Sequence, residues 1–100
     1  MIKHIVMWKL KETSEGCTKE ENAKKIKSLL ENLKDKISEI KYLEVGINVN
    51  SSESAFDAVL ISEFETLEDL NSYQVNPEHK KVSAFVKSVR LDRKVVDYIF

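Results

Sequence analysis

Three observations predict an α+β fold with the chain order βαββαβ. Apolar residues recur at every second position in four segments and at every third or fourth position in the segments between them. Only two glycines and one proline occur in 100 residues, so few breakers interrupt regular structure. Two of the four strand-like segments, the first and the third, are apolar on both faces, the pattern of central strands.

Residues 2–10, IKHIVMWKL, are rich in β-formers and read as the first strand. TKEE at 18–21 has the form of a capping box, with Thr18 as N-cap and Glu21 three positions on. Ala23, Ile26, Leu30, Leu33 and Ile37 then recur at helical spacing, which predicts an amphipathic helix of about five turns. In YLEVGINVN, 42–50, Leu43, Val45, Ile47 and Val49 alternate onto one face of a second strand. SSES at 51–54 is a polar turn, and AFDAVLISEF at 55–64 is the third strand. Thr66 opens a second helix that carries Leu67, Leu70 and Tyr73 on one side. Asn76-Pro77 restarts it, because asparagine suits the cap and proline the first helical position. Val82, Phe85, Val86 and Val89 form the buried stripe of that second segment. RKVVDYIF, 93–100, is the last strand.

This order matches a ferredoxin-like protomer, an antiparallel four-stranded sheet with its helices on one face, as one domain over 1–100. His4, Val6, Trp8 and Leu10 share one face of the first strand, and Ile5 and Met7 the other. On the third strand Phe56, Ala58, Leu60 and Phe64 face one way, and Val59 and Ile61 the other. Helices cover only one side. Burying Ile5, Met7, Val59 and Ile61 is worth ~1.5–3 kcal/mol each. That sum rivals the ~5–15 kcal/mol stability of a whole domain. A homodimer with two sheets packed face to face is therefore expected.

Composition narrows the partners. Sixteen basic and 17 acidic residues give a net charge of −1, which argues against a nucleic-acid partner. No run approaches the ~20 apolar residues of a membrane span. MIKHIVMWKL is broken by charge and shows no small-residue cleavage site, so a signal peptide is not expected. Cys17 is alone, which leaves no internal disulfide and no cysteine-based metal site. A cytoplasmic protein without cofactor or metal is the expectation.

Tyr73 and His79 stand six positions apart across Asn76-Pro77. His79 falls in the first turn of a helix, whose positive end disfavours imidazolium by ~0.3–1 kcal/mol. A neutral ring at pH 7 suits a general base. Tyr73 is core material with a hydroxyl seeking a partner, and a hydrogen bond to His79 would satisfy it. His4, on the helix-facing side of the first strand, reads from position alone as a satisfied core histidine. Asp57 and Asp97 lie on strands without metal-ligand spacing.

The stretches IKHIVMWKLKE, LEVGINV, AFDAVLISEFETLEDLNSYQVNPEHKKV and VVDYIF, in that order, resemble the Dabb family of stress-responsive dimeric α/β-barrel domains. The resemblance implies that two sheets meet in a dimeric α+β barrel, with a pocket for a small hydrophobic or aromatic molecule between sheet and helices. One plant member, olivetolic acid cyclase, closes a linear polyketide into an aromatic ring without a cofactor. Its tyrosine and histidine around the helix break are matched by Tyr73 and His79 as catalytic residues, and its first-strand histidine by His4. Val6, Trp8, Ala58 and Leu60 would complete the substrate-binding wall. Two positions depart from the cyclase: Ala58 replaces a pocket histidine, and NPEH places Asn76 where HPxH has its first histidine. Two other functions fit the same resemblance: a non-catalytic stress or oligomerisation protein, and a monooxygenase of the wider dimeric α+β-barrel group.

Overall fold

A computed structural model describes residues 1–100. Strand β1 (Ile2–Leu10) leads into a short hairpin, β2 (Thr13–Ser14) and β3 (Cys17–Thr18), before helix α1 (Lys19–Asn32). Strands β4 (Tyr42–Ile47) and β5 (Ala58–Phe64) follow, then helices α2 (Leu67–Val75) and α3 (Pro77–Val89), and strand β6 (Arg90–Ile99). The four long strands form one antiparallel sheet in the order β4-β5-β1-β6. The two strands predicted to be central are central. Val6 and Leu60 lie opposite one another at the middle of that pair, both buried beneath the helices.

Sequence reasoning missed the β2-β3 hairpin. Its two-residue turn, Glu15-Gly16, has positive φ at both positions, 54° and 75°. That conformation matches the twist of a tight hairpin, and glycine adopts it without steric cost. Asn22 ties the hairpin to α1 by donating to the Ser14 carbonyl at 3.0 Å. The capping box of α1 is complete: Glu21 N–H donates to the Thr18 hydroxyl at 3.2 Å, and Thr18 N–H donates to the Glu21 carboxylate at 2.9 Å.

Several boundaries differ from expectation. The first helix is shorter than five turns. It ends at Asn32 and tightens into a 3₁₀ turn, Leu33–Asp35, that keeps both Leu33 and Ile37 buried. β4 stops at Ile47, and Val49 is fully exposed rather than on the core face. There the Asn48 side chain captures Asn50 N–H at 2.8 Å and bends the chain out of the ladder. β5 begins at Ala58, not 55, because Asp57 serves the end of β1. Its N–H donates to the Trp8 carbonyl at 2.8 Å and its carboxylate accepts Leu10 N–H at 2.7 Å. Leu67, in the first turn of α2, is exposed, whereas Leu70 and Tyr73 are buried as expected. β6 starts three residues early, since Arg90 turns extended straight after α3.

The helices cover one face only. On the other, Ile5, Val59 and Ile61 are half-buried, Met7 is exposed, and β6 adds Val96 and Tyr98, 60% and 43% exposed. The alternation that fills the core from one side of β1 builds this apolar surface from the other.

β6 shields one edge of β1 through a ladder running from Ile2–Ile99 to Leu10–Arg90. Deleting Val95–Phe100 should leave an insoluble chain or one less stable by several kcal/mol, measured by thermal melting. An unchanged melting curve would contradict this assignment of the strand.

Candidate functional site

The helix break at 75–77 fixes the first side of the site. The Asn76 side chain accepts Glu78 N–H at 2.9 Å, and Pro77 begins α3 where its missing N–H costs nothing. This geometry sets His79 over Tyr73, with ring centroids 4.3 Å apart at 49°. Phe64 packs on Tyr73 from the sheet side at 5.0 Å.

His79 Nδ1 lies 3.1 Å from the Gln74 carbonyl, which can only accept. Nδ1 therefore carries the proton in the neutral ring, and Nε2 keeps a free lone pair. Burial lowers the His79 pKa below its ordinary 6.5, opposed by the Gln74 bond and reinforced by the nearby Arg93 guanidinium. The direction agrees with the helix-terminus argument, but burial is the main cause.

The expected Tyr73–His79 hydrogen bond is not made. Tyr73 is fully buried and its hydroxyl has no partner. Burial pushes its pKa well above the ordinary tyrosine value, with Arg93 acting in the opposite direction, so the phenol keeps its proton at any physiological pH.

His79 borders a cleft of about 320 Å³ between the helices and the sheet. His4, Val6 and Trp8 from β1 and Leu60 from β5 line it, as the sequence implied. Tyr73 is not in the lining. It sits behind His79. Ala58 is not in the lining either: it begins β5 opposite Trp8 and Ile47, and it borders a separate depression with Met7, Gly46 and Val59.

Two kinds of residue were missed. Asp97 is the cross-strand partner of His4, with Nδ1 and the carboxylate 2.5 Å apart. The carboxylate fixes the His4 tautomer in which Nε2 is the unprotonated nitrogen, as Gln74 does for His79. The sheet order supplied the signal, because it sets the last strand beside the first. The second group, Ser83 and Lys87 of α3 with Arg90 and Arg93 of β6, makes the cleft mouth polar and basic. Ser83 and Lys87 lie on the outward side of the α3 stripe, where a solvated face is the simplest reading. Asp57, expected on a strand, precedes β5, serves backbone and Lys19 and lies outside the cleft.

The sequence profile of the stress responsive A/B barrel domain matches residues 2–100. A stress-response A/B barrel domain-containing protein of Arabidopsis thaliana is 27% identical over 99% of this chain and 47% of its own length. The chain thus spans less than half the length of the curated relatives it matches. Among solved structures, a dimeric protein of ferredoxin-like fold from Bacteroides fragilis is 35% identical, with a TM-score of 0.89 over 99% of this chain and 95% of that one. A hydroxynitrile lyase from Passiflora edulis shares the fold at 18% identity, with a TM-score of 0.81 over 99% of this chain and 92% of its own. Strand order, helix break and profile agree over almost every residue, and the chain belongs to the stress responsive A/B barrel domain family.

Proposed function

We propose that this chain forms a homodimer through the open face of its sheet. In this reading it binds a small hydrophobic or aromatic carbonyl compound in the helix-side cleft, and His79 removes an acidic proton from that ligand. The observation that carries the reading is the His79 ring itself. Its Nδ1–H is committed to a backbone carbonyl, its pKa is lowered, and it borders a cleft floored by Val6, Trp8 and Leu60. A neutral imidazole so placed is a general base.

In the proposed step Nε2 takes a proton from the carbon next to the carbonyl. The C–H electron pair becomes the enolate, and the negative charge moves onto the carbonyl oxygen. The Ser83 hydroxyl is a neutral donor in the same lining. Tyr73 supports His79 by ring packing, a positioning role. The proton now on His79 Nε2 is returned from there to the enolate, while His4, oriented by Asp97, offers an acceptor Nε2 on the opposite wall. These side chains supply every group that the step uses, which is polyketide-cyclase-like chemistry without a cofactor. The shared fold of the hydroxynitrile lyase shows that this architecture accommodates an enzyme.

Assembly uses the other face. The Bacteroides fragilis protein is described as dimeric, and here Ile5, Met7, Val59, Ile61, Val96 and Tyr98 form a surface that a second copy would cover. Sedimentation at micromolar concentration should give twice the 11.6 kDa chain mass. Val59→Asp or Ile61→Asp would place a charge in that contact and should monomerise or unfold the protein. A stable monomer of the unmodified chain contradicts the assembly.

The base is tested by deuterium uptake at the benzylic carbon of phenylacetone in D₂O, followed by NMR. The intact protein should accelerate exchange, and His79→Ala should reduce that acceleration ~10²–10⁴-fold. No acceleration above buffer would favour the non-catalytic stress or oligomerisation reading, in which His79 and Tyr73 only hold a turn. Tyr73→Phe removes a buried hydroxyl that has no partner, so melting should stay level or rise. A rise of 1 kcal/mol corresponds to about 4–8 °C. A fall of that size would mean the hydroxyl is satisfied in solution.

His79 also fixes the sign of a pH dependence. Its folded pKa lies below the ordinary 6.5, so the unfolded chain binds the proton more readily. The stability linked to His79 is therefore intact above that value and lost as pH falls through it towards the folded pKa. His79→Gln should flatten this part of the melting-temperature profile below about pH 6.5.

A further inference from the structure

The cleft has a charge problem. Of its twelve lining residues none is acidic, whereas five are basic: His4, His79, Lys87, Arg90 and Arg93. Elsewhere about half of the lysines meet a carboxylate, as in Lys3–Glu63, Lys27–Glu31 and Lys41–Glu65. The acids nearest the cleft in sequence already have partners, and only Asp97 serves a cleft residue. Asp92 meets Lys94, Asp97 meets His4, and Glu78 faces Lys36 and Lys81. Both of the chain's arginines line this one cleft, and neither has a carboxylate partner.

Helix geometry accounts for part of this. Lys87 in the last turn of α3 and Arg90 at its C-cap answer the negative end of the helix macrodipole. Arg93 has no such reason. It lies three residues into β6, opposite Trp8 on the helix-facing side, where a positive charge acts directly on His79.

We propose that Arg93, with Arg90 and Lys87, forms an oxyanion-binding subsite at the mouth of the cleft, so that the ligand is a small organic acid: an apolar body seated on Val6, Trp8 and Leu60 and an acid group held at the rim. The proposal rests on the reading of the cleft as a binding site and names the class of compound it takes. Guanidinium groups present planar, paired N–H donors that match carboxylate or phosphate oxygens. A cleft of about 320 Å³ suits a one-ring compound with a short acidic arm. The sheet's open face lies on the opposite side, so the proposed dimer leaves this mouth free.

Trp8 is the only tryptophan and lines the cleft, so its emission reads occupancy directly. The probes are phenylacetate, phenyl phosphate and the neutral phenylacetamide, titrated at low ionic strength. At least one of the two acids should bind on the order of tenfold or more tighter than the amide, as expected for charge-assisted hydrogen bonds. The tighter acid identifies the head group. Arg93→Gln should remove most of that advantage and leave amide binding unchanged, whereas Lys34→Gln, an exposed lysine outside the cleft, should change neither. The advantage should also shrink as salt is raised. Equal binding of acids and amide overturns the anion subsite alone and leaves the cleft as a binding site. Absence of binding by all three overturns both.

Discussion

A four-stranded sheet has two faces, and in this chain the helices cover one. Every other feature depends on that inequality. β1 makes it concrete, because its alternate side chains serve opposite ends. Ile2, His4, Val6, Trp8 and Leu10 are buried under the helices, while Ile5 and Met7 stand on the open side. Alternation fixes register tightly, since a one-residue slip would send His4 and Trp8 to the open face and empty the core. The same strand thus pins the core, one wall of the cleft and the centre of the proposed interface.

The helix break is the second constraint. In a continuous helix from Thr66 to Val89, Tyr73 and His79, six positions apart, would point about 120° away from one another and their rings would not meet. Asn76-Pro77 caps one helix and starts the next, which frees the Gln74 carbonyl to receive the His79 ring. One backbone acceptor therefore sets both the orientation and the tautomer of the candidate base. Tyr73 pays no comparable role at the cleft surface: its ring backs His79, and its hydroxyl is buried without a partner. Such a group costs free energy. Its place beside a candidate base is a feature that packing alone does not explain.

Strand order, central strands, capping box and helix break were legible because each rests on local pattern or on short-range chemistry. Thr18 and Glu21 are three residues apart, and Asn76 and Pro77 are adjacent. The β2-β3 hairpin was missed because two-residue strands carry no periodicity, although Glu15-Gly16 held the turn. Val49 was misplaced because alternation continues in the sequence after Asn48 has turned the backbone away. The candidate site divides the same way. The face each residue occupies puts His4, Val6, Trp8 and Leu60 on the helix side, and the family resemblance names them and His79 as pocket residues. Asp97 needed the register of β6 against β1, a long-range quantity. Ala58 was lost because facing the helices is not the same as facing the cleft. It stands at the start of β5, two residues before Leu60, with only a methyl group to extend.

The basic mouth of the cleft was the least legible part, and the reason is energetic. Lys87, Arg90 and Arg93 look like ordinary surface charges in a balanced composition, and helix-end preference explains two of them. Their meaning appears only when the ion pairs around them are traced and each nearby carboxylate is found to be committed to another partner. Cations left unpaired beside a water-filled groove repel one another modestly and are solvated, so the fold tolerates them at small cost. They hold a positive potential over the cleft that attracts anions. Burial is the main cause of the lowered proton affinity of His79, and Arg93 alone of the three adds to it. An anion held at the rim, as proposed, would neutralise part of that potential and raise the basicity of the imidazole behind it. Under that proposal, binding and proton transfer would be coupled through one short electrostatic path.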